Sequence, residues 1–211
     1  MVYRNSDVRC TQLYRISDNE HYNEIREDLE NLKALNIQIE SITCDGHRAI
    51  LKAIKKVFKN NVPVQRCLVH IQRMSRIWLT QEPKSIAGRQ LLSITQKIHL
   101  IESEYDRQVW LRALYDWDLE HQDFIRELSI NPNTGLTWYK HKMLRRVRRL
   151  LINAIPNMFH FLEDRQIPKS TNALESFFGH LKDNLSVHRG LAINNRKNFI
   201  KWYLHFRNQN V

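Results

Sequence analysis

Residues 41–70, SITCDGHRAILKAIKKVFKNNVPVQRCLVH, decide how the rest of the chain is read. Ser41-Ile42-Thr43-Cys44-Asp45 favours a strand and stops at a carboxylate followed by Gly46. The apolar pairs Ala49/Ile50, Ala53/Ile54 and Val57/Phe58 recur at helical spacing and make a wide buried stripe. Asn60-Asn61-Val62-Pro63 breaks that helix, and Val64 to Val69 reads as a second short strand ending at His70. Strand, helix, strand at this length is a βαβ unit, which usually places parallel strands side by side. Open α/β sheets bind ligands at the C-terminal ends of their strands, so Asp45 is the first candidate for chemistry. The plainer explanation of the same residues is a turn in which Asp45 caps the helix.

The 211 residues suffice for one large domain, or for a domain carrying an insertion. Lys and Arg number 33 against 22 Asp and Glu, a formal charge of +11. That excess favours a polyanionic partner, nucleic acid before membrane, because no single basic amphipathic helix dominates. Solvated surface cations with no specific task explain the same excess. Three cysteines, Cys10, Cys44 and Cys67, do not make a disulfide framework and fit reduced thiols in the cytoplasm. No run has the length of a membrane span, and Met1-Val2-Tyr3-Arg4-Asn5 lacks the apolar segment of a signal peptide.

Working outward, Met1 to Asn5 and Cys10 to Ile16 read as a hairpin turned at Ser6-Asp7. A sheet that opens on half a strand points to sequence upstream. An acidic amphipathic helix follows from Asp18 to Leu35, with Tyr22, Ile25, Leu29 and Leu32 on one face and Ser17 and Glu20 as a capping box. Beyond His70 strands give way to helical periodicity. Leu91, Ile94, Ile98, Ile101 and Tyr105 form one series, and Trp110, Leu114, Trp117, Phe124 and Leu128 a second. The clearest loop is Asn131-Pro132-Asn133-Thr134-Gly135. These patterns divide the chain into an α/β portion over 1–70, an all-helical insertion over 71–168, and helices over 169–211 that complete the α/β core.

Three groups of residues carry candidate chemistry. Arg145, Arg146, Arg148 and Arg149 lie close to Trp138 and Tyr139, a set able to grip phosphates while aromatics pack on sugars or bases; a solvated helix face is the alternative. Glu175 lies at the edge of the apolar stripe Leu174, Phe177, Phe178, Leu181 and Leu185, where it points toward Asp45 or closes a capping box with Asn172. Cys67 and His70, with Cys44 and His47, could supply four zinc ligands, although no second tight pair of the structural-zinc type exists and Cys67 sits in an apolar strand. A Cys–His catalytic dyad is disfavoured, since residues 67 and 70 of an extended strand face opposite sides.

Four segments together resemble a known family. Cys44-Asp45-Gly46-His47-Arg48-Ala49-Ile50, Gln65-Arg66-Cys67-Leu68-Val69-His70-Ile71, Ser170-Thr171-Asn172-Ala173-Leu174-Glu175 and His188-Arg189-Gly190-Leu191 look like the DDE transposases of bacterial insertion sequences. More narrowly, the chain resembles the mutator-like group, of which the Cys-x-x-His pair is a marker. The resemblance implies a ribonuclease-H-like core, truncated at its N-terminus, with a helical insertion between the second and third acids. It implies phosphoryl transfer on DNA, with Asp45 as the second Asp and Glu175 as the Glu of a set that holds two Mg²⁺ (or Mn²⁺) ions. DNA, as transposon ends and target, is the implied partner. Trp138, the four arginines, His188 and Arg189 are the residues expected to meet it, in a homo-oligomer when complete. The family's first Asp has no counterpart here, because neither Asp7 nor Asp18 occupies a first-strand position. The set is then incomplete without an upstream fragment. A transposase-derived, non-catalytic DNA-binding or regulatory protein is the first alternative, and a zinc-stabilised interaction module the second.

Overall fold

The structure, a computed structural model, describes residues 1–209, so the last two positions of the expected 169–211 segment lie outside the described residues. The chain divides into two compact units, Met1–Val64 with the chain from Ser170 onward, and Gln65–Lys169.

In the first unit β1 (Val2–Arg4) and β2 (Thr11–Tyr14) form an antiparallel hairpin, with Val2 opposite Tyr14 and Tyr3 opposite Leu13. Its turn is built by Asn5, whose side-chain oxygen accepts the N–H groups of Asp7 (2.8 Å) and Val8 (3.0 Å). Helix α1 (Tyr22–Ala34) buries Ile25, Leu29 and Leu32. The Ser17/Glu20 capping box is a correction. The N-cap is His21, with no side-chain cap bond, and the Ser17 hydroxyl instead donates to Glu24 at 2.6 Å. The helix ends in a Schellman motif: Asn36 (φ 56°) donates to the Lys33 carbonyl and Ile37 to that of Leu32, which uses the tolerance of Asn for the left-handed region. Asp28 is buried on the inner face of α1 and paired with Arg15 at 2.6 Å. Burial, and then the Asp28 charge and hydrogen bond, push the Tyr3 phenol upward, so it stays protonated and holds the hairpin to α1.

Strand β3 (Ile42–Cys44) pairs with β4 (Val64–Arg66), and the Ile42 N–H donates to the Pro63 carbonyl at 3.0 Å. Between them α2 (Arg48–Phe58) packs its buried Ala53 and Ile54 with Ile25, Leu29 and Leu32 of α1 and with Cys44. The unit is completed by α8 (Asn172–Val187) and α9 (Ile193–Gln209). These two meet the hairpin side on. The Arg4 guanidinium lies 4.5 Å from the Phe177 ring, that ring is 5.7 Å from Tyr203, and the Asn208 amide both accepts from Thr11 N–H and donates to Thr11 C=O, each at 2.9 Å. A side-chain amide here stands in for a third strand.

The second unit corrects the extended reading of Val64 to Val69. The strand lasts three residues, and α3 (Leu68–Leu79) starts two residues after it. Then come α4 (Ile86–Gln96), α5 (Glu104–Arg126), α6 (Lys142–Ala154) and α7 (His160–Glu163), around a core that includes Leu68, Ile71, Leu91, Trp110, Val147 and Met158. The segment is not all-helical: β5 (Leu128–Ile130) and β6 (Thr137–Tyr139) form an antiparallel hairpin around the Asn131–Gly135 loop, closed by Gly135 at φ 68°. Leu128 and Tyr105, expected on buried stripes, are exposed. The Ser103/Asp106 capping box restarts the helix in a new phase after Ile101, which turns Tyr105 outward, and Leu128 lies beyond the end of α5.

The entry to α4 is tight. Ser85 caps it by accepting the Gly88 N–H at 3.1 Å, and a Cβ on Gly88 would stand 2.7 Å from the Pro83 Cβ. Alanine gains about 1 kcal/mol of helix propensity, but overpacking costs about 1–3 kcal/mol. Gly88→Ala is expected to lower the urea midpoint. An unchanged or raised midpoint would show that the Pro83 loop yields freely.

Candidate active site

Asp45 directly follows β3 and is half-buried. Its Oδ1 accepts the His47 N–H at 2.8 Å, and Gly46 supplies the positive φ of 81° that the bend requires. Turn and strand-end carboxylate are thus one geometry: the Asx turn holds Asp45 at the end of β3 and delivers the chain into α2. Asp45 does not cap α2, whose N-cap is His47 with no side-chain cap bond. The His47 imidazole lies 3.6 Å from Glu20, so this end of the unit gathers a further acid.

Glu175 lies in the first turn of α8, half-buried, and its N–H bonds the Thr171 carbonyl at 2.9 Å. The N-cap is Thr171, and Asn172 is already helical, so the Asn172/Glu175 capping box is corrected. A carboxylate in a first turn is favoured by the exposed N–H groups and the helix dipole. Asp45 and Glu175 belong to the same compact unit. Among the described residues no group of three or more His, Cys, Asp or Glu side chains is assembled as a metal cage.

Cys67 and His70 are placed by α3. Cys67 is its N-cap and is fully buried, and its Sγ accepts the His70 N–H at 3.4 Å. The argument that residues 67 and 70 face opposite sides of a strand therefore fails. The Cys-x-x-His spacing here is that of an N-cap and the third residue of its helix, with sulfur taking the place of the usual Ser or Asp oxygen.

The arginine cluster lies on α6 and is largely engaged within the chain. Arg145 stacks on Tyr139 at 3.5 Å and donates to the Ile125 carbonyl. Arg146 covers Trp78 at 4.0 Å. Arg148 makes a two-pronged pair with Asp118, a hydrogen bond that raises its already high pKa. Arg149 is exposed. Trp138 is exposed on β6, with the Lys142 ammonium 5.9 Å from its ring. His141 and Lys140 at the base of the hairpin both bond Glu127 at 3.1 Å, and these bonds hold that carboxyl below the usual range. His188 caps the C-terminus of α8 with its ring 5.5 Å from Phe199, and Arg189 donates to the Ser186 carbonyl at 3.2 Å.

One surface went unread in the sequence. Helix α9 carries Arg196, Lys197, Lys201 and Arg207 with no acidic residue, and its exposed Trp202 and Phe206 rings stack at 5.6 Å. The absence of acids from Ile193 to Gln209 was the available signal.

A family model described as Transposase IS66 family matches residues 5–177, a segment that contains both Asp45 and Glu175. IS66 is a different family from the mutator-like group, so that narrower resemblance is corrected. No curated protein and no solved structure matches the chain.

Proposed function

Because the chain belongs to the IS66 family of transposases, we propose that it works in DNA transposition as the part of a DDE enzyme that carries two of the three acids, Asp45 and Glu175. The supporting observation is that a turn-locked Asp at a strand end and a Glu in a first helical turn fall in one compact unit and inside the matched segment. In this reading the β1–β2 hairpin, β3, α2, β4 and α8 are elements of a ribonuclease-H-like core, and the stretch from α3 through α7 is its insertion.

The donor chemistry fits Mg²⁺ or Mn²⁺, since both candidate ligands are half-buried carboxylates and hard cations take oxygen. Bound there, such an ion would polarise the phosphate and help generate the attacking hydroxyl. The chain's own part is orientation. The Asx turn holds the Asp45 carboxylate with one oxygen engaged by the backbone, and α8, pinned by Phe177 and Leu181, fixes the height of Glu175. DNA is the proposed partner, met by exposed Arg149 and Trp138 and by the basic face of α9, in keeping with the +11 charge.

Manganese titration followed by electron paramagnetic resonance tests the site in this chain. Loss of outer-shell partners alone weakens metal sites about 10–100-fold, so Asp45→Asn and Glu175→Gln should each weaken binding at least about tenfold. Binding unaffected by both would remove the metal site and favour a DNA-binding protein with idle acids.

A further inference from the structure

Helix α5 has a buried apolar face and an exposed face on which apolar and charged side chains alternate. The inner one, Trp110, Leu114, Trp117, His121 and Ile125, fills the core of its unit. On the opposite side Tyr105 (74% exposed), Val109 (52%), Arg112, Asp116, Leu119 (50%) and Asp123 stand in solvent. Their spacing is 4, 3, 4, 3, 4, that of the a and d positions of a coiled-coil seam. Scattered surface apolars are ordinary, but here exposed Tyr105, Val109 and Leu119 share one row in heptad register with Arg112, Asp116 and Asp123, along about 27 Å of helix.

We infer that this outer face of α5 is a self-association surface that pairs antiparallel with α5 of a second copy of the chain. The charges at its centre select both occupant and direction. About a two-fold axis through the level of Leu114, Val109 meets Leu119 of the second copy, and Arg112 meets Asp116, each contact occurring twice as an isologous interface requires. A parallel pair would set Arg112 against Arg112 and Asp116 against Asp116. Ala113 and exposed Tyr115 flank the axis, a small residue on one side and an aromatic on the other, which lets the helices approach closely. Within one chain Arg112 and Asp116 already bond at 2.9 Å, with the guanidinium 5.7 Å from the Tyr115 ring, so the pair is preset for a four-charge cluster on the axis. Nucleic acid fits this face poorly, because Asp116, Glu120 and Asp123 line it.

Sedimentation equilibrium of the 211-residue chain tests the surface. A reversible monomer–dimer equilibrium is expected. Arg112→Glu places two carboxylates together twice and should weaken dimerisation at least tenfold. Adding Asp116→Arg to that variant should restore it. Both positions are exposed, and a circular-dichroism melt confirms that each variant folds. A chain monomeric throughout the accessible concentrations overturns the inference, as does a dimer indifferent to Arg112→Glu. Failure of the reversed pair to rescue overturns the antiparallel register.

Discussion

Asp45→Ala and Glu175→Ala are each expected to lower transposition of a marked element by about 10³-fold, when the chain is supplied with a fragment carrying the family's first strand and its Asp. The size follows from what a carboxylate does in such a site. Metal-centred stabilisation of the developing charge contributes several kcal/mol, and about 4 kcal/mol corresponds to about 10³ in rate. Asp45 accepts a backbone N–H through one oxygen, so Asp45→Asn keeps the turn acceptor while removing the charge. If Asp45→Asn is as inactive as Asp45→Ala while melting like wild type, the loss belongs to charge and not to the turn. On the proposed three-acid set, the chain without the added fragment holds two of the acids and is expected to show little strand cleavage. Robust magnesium-dependent cleavage by the 211-residue chain alone would sink the three-acid division of labour. Full activity of the Glu175 variant would remove that residue from the site.

Where the sequence was legible, one strong local signal ruled. The pairs Ala49/Ile50, Ala53/Ile54 and Val57/Phe58 allow only one helical face, and α2 spans Arg48–Phe58. Gly46 after Asp45 announced a backbone bend, and φ is 81° there. Where signals overlapped, reading failed. Val64 to Val69 is rich in β-formers, and nothing but a cysteine marks the start of α3. Thiol N-caps are outside the usual Ser, Thr, Asp and Asn set, so the strand was read three residues too far. The β5–β6 hairpin escaped because three-residue strands show too little alternation to outweigh the helical pattern around them, although Gly135 and the Leu-Ser-Ile and Thr-Trp-Tyr triplets were visible. The arginine cluster was legible as charge and not as partnership. That Arg148 is tied to Asp118 depends on how α6 meets α5, and that Arg145 covers Tyr139 depends on the unread β5–β6 hairpin. The Asn208–Thr11 clasp joins residues 197 apart and was beyond any local reading.

Gln65 offers the sharpest stability test, because a fully buried amide there replaces secondary structure that the chain does not form. Its Nε2 donates to the Met158 carbonyl at 2.8 Å and to the Arg66 carbonyl at 2.8 Å, and its Oε1 accepts the Phe161 N–H at 3.4 Å. Met158 and Phe161 flank the start of the four-residue α7, too short to satisfy its own ends. Gln65→Leu keeps the volume nearly constant, so no cavity opens, but the Met158 carbonyl and the Phe161 N–H both lose a partner away from water. Each orphaned group costs about 1–3 kcal/mol, and together about 2–6 kcal/mol is expected from urea denaturation. Gln65→Glu should be no milder. It keeps an acceptor for Phe161 but cannot donate to Met158 once ionised, and it places a charge in an apolar core. Amide exchange separates the local effect from the global one. Phe161 should exchange faster in Gln65→Leu even where the rest of its unit stays protected. A Leu variant within about 0.5 kcal/mol of wild type would mean that water reaches these groups, and that Gln65 is a passenger of the strand and not its anchor.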